Sequence, residues 1–371
     1  MPPSKQKTPP NPNEIEISIF GPGFGECVLI HVGEGAWLVV DSCWNRQAGR
    51  PAALAYFDEI AIDPSNSIEL ILATHWHDDH IAGIDQIVEA CPRAKFWCSD
   101  ALRCEQFLEL IELTLTRRDI KFTRGSDYIR RIVDIKGSEF NFALGGMRIY
   151  QRTAASPSGQ VPVEVWALSP SQYENLIARQ NLGALLVHQA APQRRIPDRN
   201  PNHASVASVV LVGECHILLG ADLEESGDPL LGWSAVVSNV GRPPLLRSSI
   251  FKIPHHGSIT AHHEDTWNQL VAPTPHAAVT PYKVANNVLP QPGDIVRIRQ
   301  HAQSAYITKS RFYQRPRRRS NFVQKLVPRS LQALTKVPGH IRLRTSIGGA
   351  PSGWDVELFD GADRLENFRA A

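Results

Sequence analysis

The chain has no apolar run approaching the ~18–20 residues that a membrane-spanning helix needs, which excludes an integral membrane protein built on helices. Its start, MPPSKQKTPPNPNE, lacks the apolar core of a signal peptide, so residues 1–13 read as a disordered, proline-rich tail. Cysteine is scarce, with six residues at 27, 43, 91, 98, 104 and 215, no CxxC pair and no regular spacing. That pattern speaks against a disulfide framework and a cysteine-bound zinc, and fits reduced, mostly buried thiols of a cytoplasmic protein. Acidic residues are missing from 295–354, which hold 13 Lys and Arg, leaving 26 Lys and Arg against 37 Asp and Glu elsewhere. A mildly acidic body therefore carries a basic segment. What is plentiful is apolar: 42% of 371 residues, enough for one large domain or two smaller ones and too much for a wholly disordered chain.

The hydrophobic pattern switches repeatedly between short strands and helices. EIEISIF at 14–20 alternates charge with hydrophobe and predicts a half-buried strand. The loop GPGFGE leads into CVLIHV and AWLVVD, which read as a hairpin across Gly33–Gly35. Because these glycines open a strand and not a helix, they serve loop geometry and not a dinucleotide phosphate. Helices are expected over 51–61, 81–90 and 100–116, with strands at 68–74 and 94–98. SDYIRRIVDIK reads as a helix, FNFALGGMRIY as a hairpin around Gly145–Gly146, and 161–168 as a strand before a helix reaching about 188. The loop 189–204 is long enough to suggest function or mobility. A second hairpin spans 205–222; a helix near 227–238, strand SIFKIP, a helix around 263–271 and strand HAAVT follow. Two similar halves of this kind suit a layered α/β protein with its sites on the loops beyond the strands.

The chemistry concentrates in Thr74-His75-Trp76-His77-Asp78-Asp79-His80, directly after a buried strand. Four potential ligands, His75, His77, Asp79 and His80, fall within six residues, and imidazole with carboxylate suits zinc, manganese or iron(II). This HxHxDH pattern resembles the signature of the metallo-β-lactamase-fold hydrolases. Asp41, ending AWLVVD, is similar to that family's mainly structural first aspartate. Asp222, in LLGADLEES, is similar to the aspartate that bridges two metals, and His255-His256-Gly257-Ser258 to the last histidine motif. GADLEE, KIPHHGS and the glycine-rich first loop together most resemble the soluble hydrolase domain of ComEC-type competence DNA-uptake proteins, over residues 14–282. The chain lacks that branch's membrane helices, so DNA import is not implied. It also has GPGFGE in place of an Asp-Val-Gly-Gln-Gly-type loop.

The resemblance implies an α/β (α+β) four-layer αββα sandwich over 14–294, with a basic extension over 295–371 that packs back on the core. It implies two divalent ions, zinc or manganese. His75 and His77 would hold one, with His203 either the family's third histidine ligand or a loop histidine. Asp79, His80 and one of the HHGS pair would hold the other, with Asp222 between. Of that pair His255 leaves the strand first and is the favoured ligand, with His256 a supporting residue or proton donor. Asp79 and His256 are thus the catalytic candidates. His262 and His263 belong on a helix face, and His31, His188, His216, His276, His301 and His340 read as ordinary. A hydroxide bridged by two cations attacks without a protein nucleophile, which suits hydrolysis of a DNA or RNA phosphodiester. Arg315, Arg317, Arg318 and Arg319, with Tyr306, Phe312, Tyr313 and Phe322 interleaved, combine phosphate-neutralising cations with rings that stack on bases. The same segment could instead dock a protein partner. The alternatives for the whole chain are a small-molecule ester, thioester or lactam hydrolase, and a metal-binding module of a multi-protein assembly such as a bacterial defence system.

Overall fold

A computed structural model describes residues 7–102, 124–188, 201–243, 247–311, 337–350 and 353–369. Two eight-stranded sheets face each other. In the first, the order is Asp355–Phe359, Gly339–Ser346, Glu14–Gly21, Cys27–Val32, Trp37–Val40, Ile68–Ala73, Lys95–Ser99, Phe140–Ala143. In the second it is Asp363–Arg364, Ser304–Ile307, Val271–Val279, Ser248–Lys252, Cys215–Leu219, Ser208–Val212, Gly159–Ala167, Arg148–Ser156. Alternate residues of the strands, among them Ile15, Ile17, Ile19 and Ile30 from one sheet and Val163, Val210, Ile217 and Ile250 from the other, fill the space between them. Helices Ala52–Glu59, Ile84–Ala90 and Arg124–Lys136 cover the outer face of the first sheet through Tyr56, Phe57, Ile84, Ile87 and Ile132. Gly232–Ser238, Glu264–Leu270 and Pro292–His301 cover the second through Trp233, Trp267, Leu270 and Ile298. The layers therefore run αββα. Among the described residues no helix is long and apolar enough to cross a membrane, and the described cysteines are free and buried.

The strands nearest the site run parallel. In the first sheet Trp37–Val40, Ile68–Ala73, Lys95–Ser99 and Phe140–Ala143 are parallel neighbours; in the second, Cys215–Leu219, Ser248–Lys252, Val271–Val279 and Ser304–Ile307 are. Parallel strands joined by helices send all their carboxyl ends to one edge, where loops are free to converge on a ligand. Asp41, Thr74–His80, Gly220–Asp222, Ile253–His256 and Thr280 all follow such ends.

Four expectations need correction. FNFALGGMRIY is not a hairpin: Phe140–Ala143 pairs with Lys95–Ser99 in the first sheet, whereas Arg148–Ser156 pairs with Gly159–Ala167 in the second. The chain crosses between sheets at Gly145, where a Cβ would meet Leu168 O at 2.7 Å. The first strand is not half-exposed, since Glu16 is buried and accepts hydrogen bonds from Ser18, Tyr56 and Arg344. Residues 7–13, placed in a disordered tail, lie along the fold: Lys7 pairs with Glu59 and Asp360, and Pro12 O accepts from Glu34 N. The expected domain line at 294 falls inside helix Pro292–His301, and later strands belong to both sheets. The helix expected over 100–116 is described only at its start, as a turn Asp100–Leu102. The rest of it lies outside the described residues, as do Phe312, Tyr313, Phe322 and Arg315, Arg317, Arg318 and Arg319.

Candidate metal centre

Strand Ile68–Ala73 ends in a buried loop that Asp41 organises. Asp41 adopts left-handed backbone geometry (φ 59°), which aspartate tolerates better than most residues. Its carboxylate accepts from Thr74 N and Thr74 Oγ1, each at 2.8 Å, and from His80 Nδ1 at 2.7 Å. The single helical turn Asp78–Ile81 swings Asp79 and His80 inward and leaves Asp78 part-exposed. The GPGFGE loop presses against this turn: Glu26 N donates to Asp79 O at 3.0 Å, and a Cβ on Gly25 (φ 107°) would lie 2.8 Å from that same oxygen. Glycine at 25 is thus a close-approach requirement.

The second sheet supplies the other ligands. Asp222 follows the hairpin 208–219, and its backbone N donates to Ser205 Oγ at 3.2 Å. His255 and His256 both have positive φ, 44° and 54°, a strained pairing for non-glycine residues. The resulting twist turns His256 into the interior, where its Nδ1 lies 2.9 Å from Thr280 O and its ring stacks on Tyr282, centroids 5.1 Å apart.

Two groups of ligand atoms result, each with all members within 4.8 Å of one another: Asp79, His80, Asp222 and His256, and His75, His77 and Asp222. Asp222 belongs to both. His255 is brought into neither. Its Nδ1 faces Glu224 Oε1 at 2.8 Å and Thr260 Oγ1 at 3.1 Å, so the ring that leaves the strand first is held by these two side chains. His203, on the turn Pro201–Ala204, also stands outside both groups. The neighbouring Ser205 reaches the centre, its Oγ 3.4 Å from His75 Nδ1.

Hydrogen bonding fixes the ring tautomers. Thr74 gives its hydroxyl proton to Asp41, so its oxygen accepts from His75 Nδ1–H at 3.0 Å. A carboxylate and a carbonyl only accept, so His80 and His256 likewise carry their protons on Nδ1. All three rings turn Nε2 inward, the orientation that metal-binding histidines take when the other nitrogen is held by an outer partner. His80 Nε2, His256 Nε2 and Asp222 Oδ1 are buried without a hydrogen-bond partner. Orphans of this kind are costly unless a cation takes them up, and the donor set of imidazoles and carboxylates fits zinc or manganese.

Electrostatics point the same way. Burial, then the His80 and His77 rings, hold His75 well below the ordinary imidazole range, keeping it neutral. Burial opposes charge on His80, but Asp222, Glu26 and Asp41 outweigh it and hold that ring well above the ordinary range. Asp222 is likewise disfavoured by burial, yet His80 and His256 keep its carboxyl well below the usual carboxylate range. Excess negative potential around paired rings is what a bound cation would neutralise.

With this geometry in place, residues 20–169 match the family described as the metallo-beta-lactamase superfamily. The chain carries a metallo-beta-lactamase superfamily domain. The match takes in Asp41 and His75 to His80; Asp222 and His256 lie beyond it. No curated protein matches the chain. Among solved structures, the metallo-beta-lactamase fold protein YhfI from Bacillus subtilis is 11% identical, covering 80% of this chain and 95% of that one, with TM-score 0.38. MEM-A1, a subclass B3 metallo-beta-lactamase from a soil metagenome library, is 12% identical, covering 69% and 84%, with TM-score 0.32. Zn(2+)-bound PqqB from Methylobacterium extorquens is 10% identical, covering 66% and 67%, with TM-score 0.29.

Sequence reasoning missed Glu26, Lys252 and Thr280. Lys252 pairs with Glu26, which also accepts from Thr280 Oγ1 at 2.5 Å and lies 3.9 Å from His80 Nδ1. The one signal available was a Glu closing the glycine loop and a Lys inside an otherwise apolar strand.

Proposed function

We propose that the chain is a metal-dependent hydrolase of phosphodiesters, acting on DNA or RNA. The observation that carries the reading is Asp222, shared by two adjacent ligand groups, the arrangement a two-cation centre needs. His75, His77 and Asp222 would hold one divalent cation, and Asp79, His80, Asp222 and His256 the other. Bound there, such cations supply Lewis acidity and lower the pKa of water, chemistry suited to in-line displacement at phosphorus.

The protein's own contribution is orientation. Asp41, directly and through Thr74, and Thr280 through its carbonyl, lock three imidazoles in the tautomer that faces inward. The substrate class draws support from the rim. Tyr282 stacks on His256, and Phe24, 40% exposed, lies 5.7 Å from Tyr282, so an aromatic surface that bases stack on borders the centre. The basic composition of 295–354 and the motif resemblance to ComEC-type hydrolase domains add to it.

The test is cleavage of labelled single- and double-stranded DNA and RNA with manganese or zinc, beside Asp79→Asn and His77→Ala. Metal-dependent cutting by the wild type, lost by at least ~100-fold in both folded variants, is expected. Full activity in either variant overturns the assignment of the centre. A wild type that binds cations but cuts no nucleic acid overturns the phosphodiester class and leaves the coarser hydrolase reading standing.

A further inference from the structure

A second cluster of ligand-type side chains lies on the outer face of the second sheet. His262 follows the turn Ile259–Ala261, Glu264 opens helix Glu264–Leu270, and His301 closes helix Pro292–His301. Glu264 Oε2 is 3.4 Å from His262 Nε2 and 3.5 Å from His301 Nε2, and the three ligand atoms lie within 4.8 Å of one another. Ligands about 2.0–2.1 Å from a tetrahedral zinc stand roughly 3.3–3.4 Å apart, the edge of the tetrahedron. Two of the three edges already have nearly that length.

The site is held from outside. The His301 ring lies flat on Trp267, centroids 4.8 Å apart and planes at 14°, and Trp267 in turn packs edge-on against Phe251. His262 is anchored by its backbone N–H to Ile259 O. Arg297 lines the same pocket as His262. Arg297 is itself engaged, with Asp294 at 2.6 Å and Gly257 O at 2.7 Å, and the adjacent His263 faces Ser234 instead. The His262 and His301 side chains are each about one-fifth exposed and Glu264 61% exposed, so a cation from solvent can reach all three.

We propose that His262, Glu264 and His301 form a separate surface site for a divalent transition metal, with zinc the first candidate. Two imidazoles and one carboxylate favour zinc, cobalt or nickel over magnesium or calcium, and leave a fourth position open. The site would join the ends of two helices to the segment running back through Ser258 to His256. A cation there clamps the far end of the loop that carries a ligand of the main centre. The inference is independent of the substrate assigned to that centre.

Full-length protein is dialysed to equilibrium against buffered micromolar zinc, and zinc per chain is measured for wild type, Glu264→Gln and His301→Ala. Each variant is expected to hold one zinc fewer than the wild type. Cobalt substitution is expected to show the matching loss of visible absorption. Equal metal content in all three proteins overturns the site. Glu264 is exposed, so its glutamine variant remains an informative readout where His301→Ala, which unstacks Trp267, does not fold. Hydrogen exchange in zinc tests the clamp. Backbone amides of 255–263 are expected to exchange at least about threefold faster in Glu264→Gln than in wild type, and equal rates overturn the clamp.

Discussion

Replacing Lys252 by methionine removes a charge from beneath the metal centre while keeping an unbranched stem of similar length. Lys252 and Glu26 are 1% and 2% exposed, and their pair joins the last residue of a second-sheet strand to the loop before a first-sheet strand. Lys252→Met leaves the Glu26 carboxylate buried with the Thr280 hydroxyl as a neutral donor. Breaking one side of a buried ion pair costs about 3–5 kcal/mol, roughly a fifth or more of the ~5–15 kcal/mol that holds a typical domain folded. Glu26→Gln alone strands the ammonium and is expected to cost a similar amount. The double variant buries neither charge and keeps an acceptor for Thr280, so it is expected to recover about 2–3 kcal/mol relative to the sum of the singles. Urea unfolding followed by tryptophan fluorescence and extrapolated linearly to water measures all four proteins. Single variants within ~1 kcal/mol of wild type, or losses that simply add, would refute the claim that this pair joins the two halves.

Two further perturbations test the supporting residues. Asp41→Asn keeps the left-handed backbone but places an amide N–H₂ where Thr74 and His80 both donate, so one ring loses its inward-facing tautomer. Zinc affinity, measured by competition with a chelator, is expected to fall about 10–100-fold, and an unchanged affinity would show that Asp41 does not set the tautomers. His31 is neutral in the fold: burial pushes its pKa to about 4, its Nδ1 donates to Glu14 O, and its Nε2 accepts from Gly35 N. The unfolded chain takes up that proton near pH 6.5, so the stability it carries is complete above that pH. It is lost as pH falls toward 4, by about 3 kcal/mol. His31→Gln is expected to flatten that part of the pH profile, leaving the same-signed loss from His340, whose burial holds it well below the ordinary range. An unaltered profile counts against this linkage.

Much of the centre is legible in the sequence because its ligands crowd into three short loops after apolar strands. His75 to His80 announce themselves by spacing, and Asp222 and the HHGS pair by their place after strands. The choice between His255 and His256 is not legible, because it turns on the sign of two backbone dihedrals that no spacing reports. Glu16 reads as a solvent-facing strand residue, but Tyr56 and Arg344, 40 and 328 positions away, satisfy it inside. FNFALGGMRIY reads as a hairpin since nothing local reveals that its two strands find partners in different sheets. His262 reads as a helix-face residue and His301 as ordinary because the fold, not the chain order, puts them beside Glu264.

The antiparallel register of Glu14–Gly21 with Gly339–Ser346 sets a timetable for the nascent protein. Cys27–Val32 follows Glu14–Gly21 within a few residues and can pair with one edge of it early, but the other edge waits for Gly339–Ser346, more than three hundred residues later. At ~5–20 residues per second that interval is tens of seconds. Throughout it, an Ile-rich edge with unpaired amides is open to strands of other chains. Whatever shields that edge during synthesis governs the yield of active protein, and slowing translation late in the message should lower it.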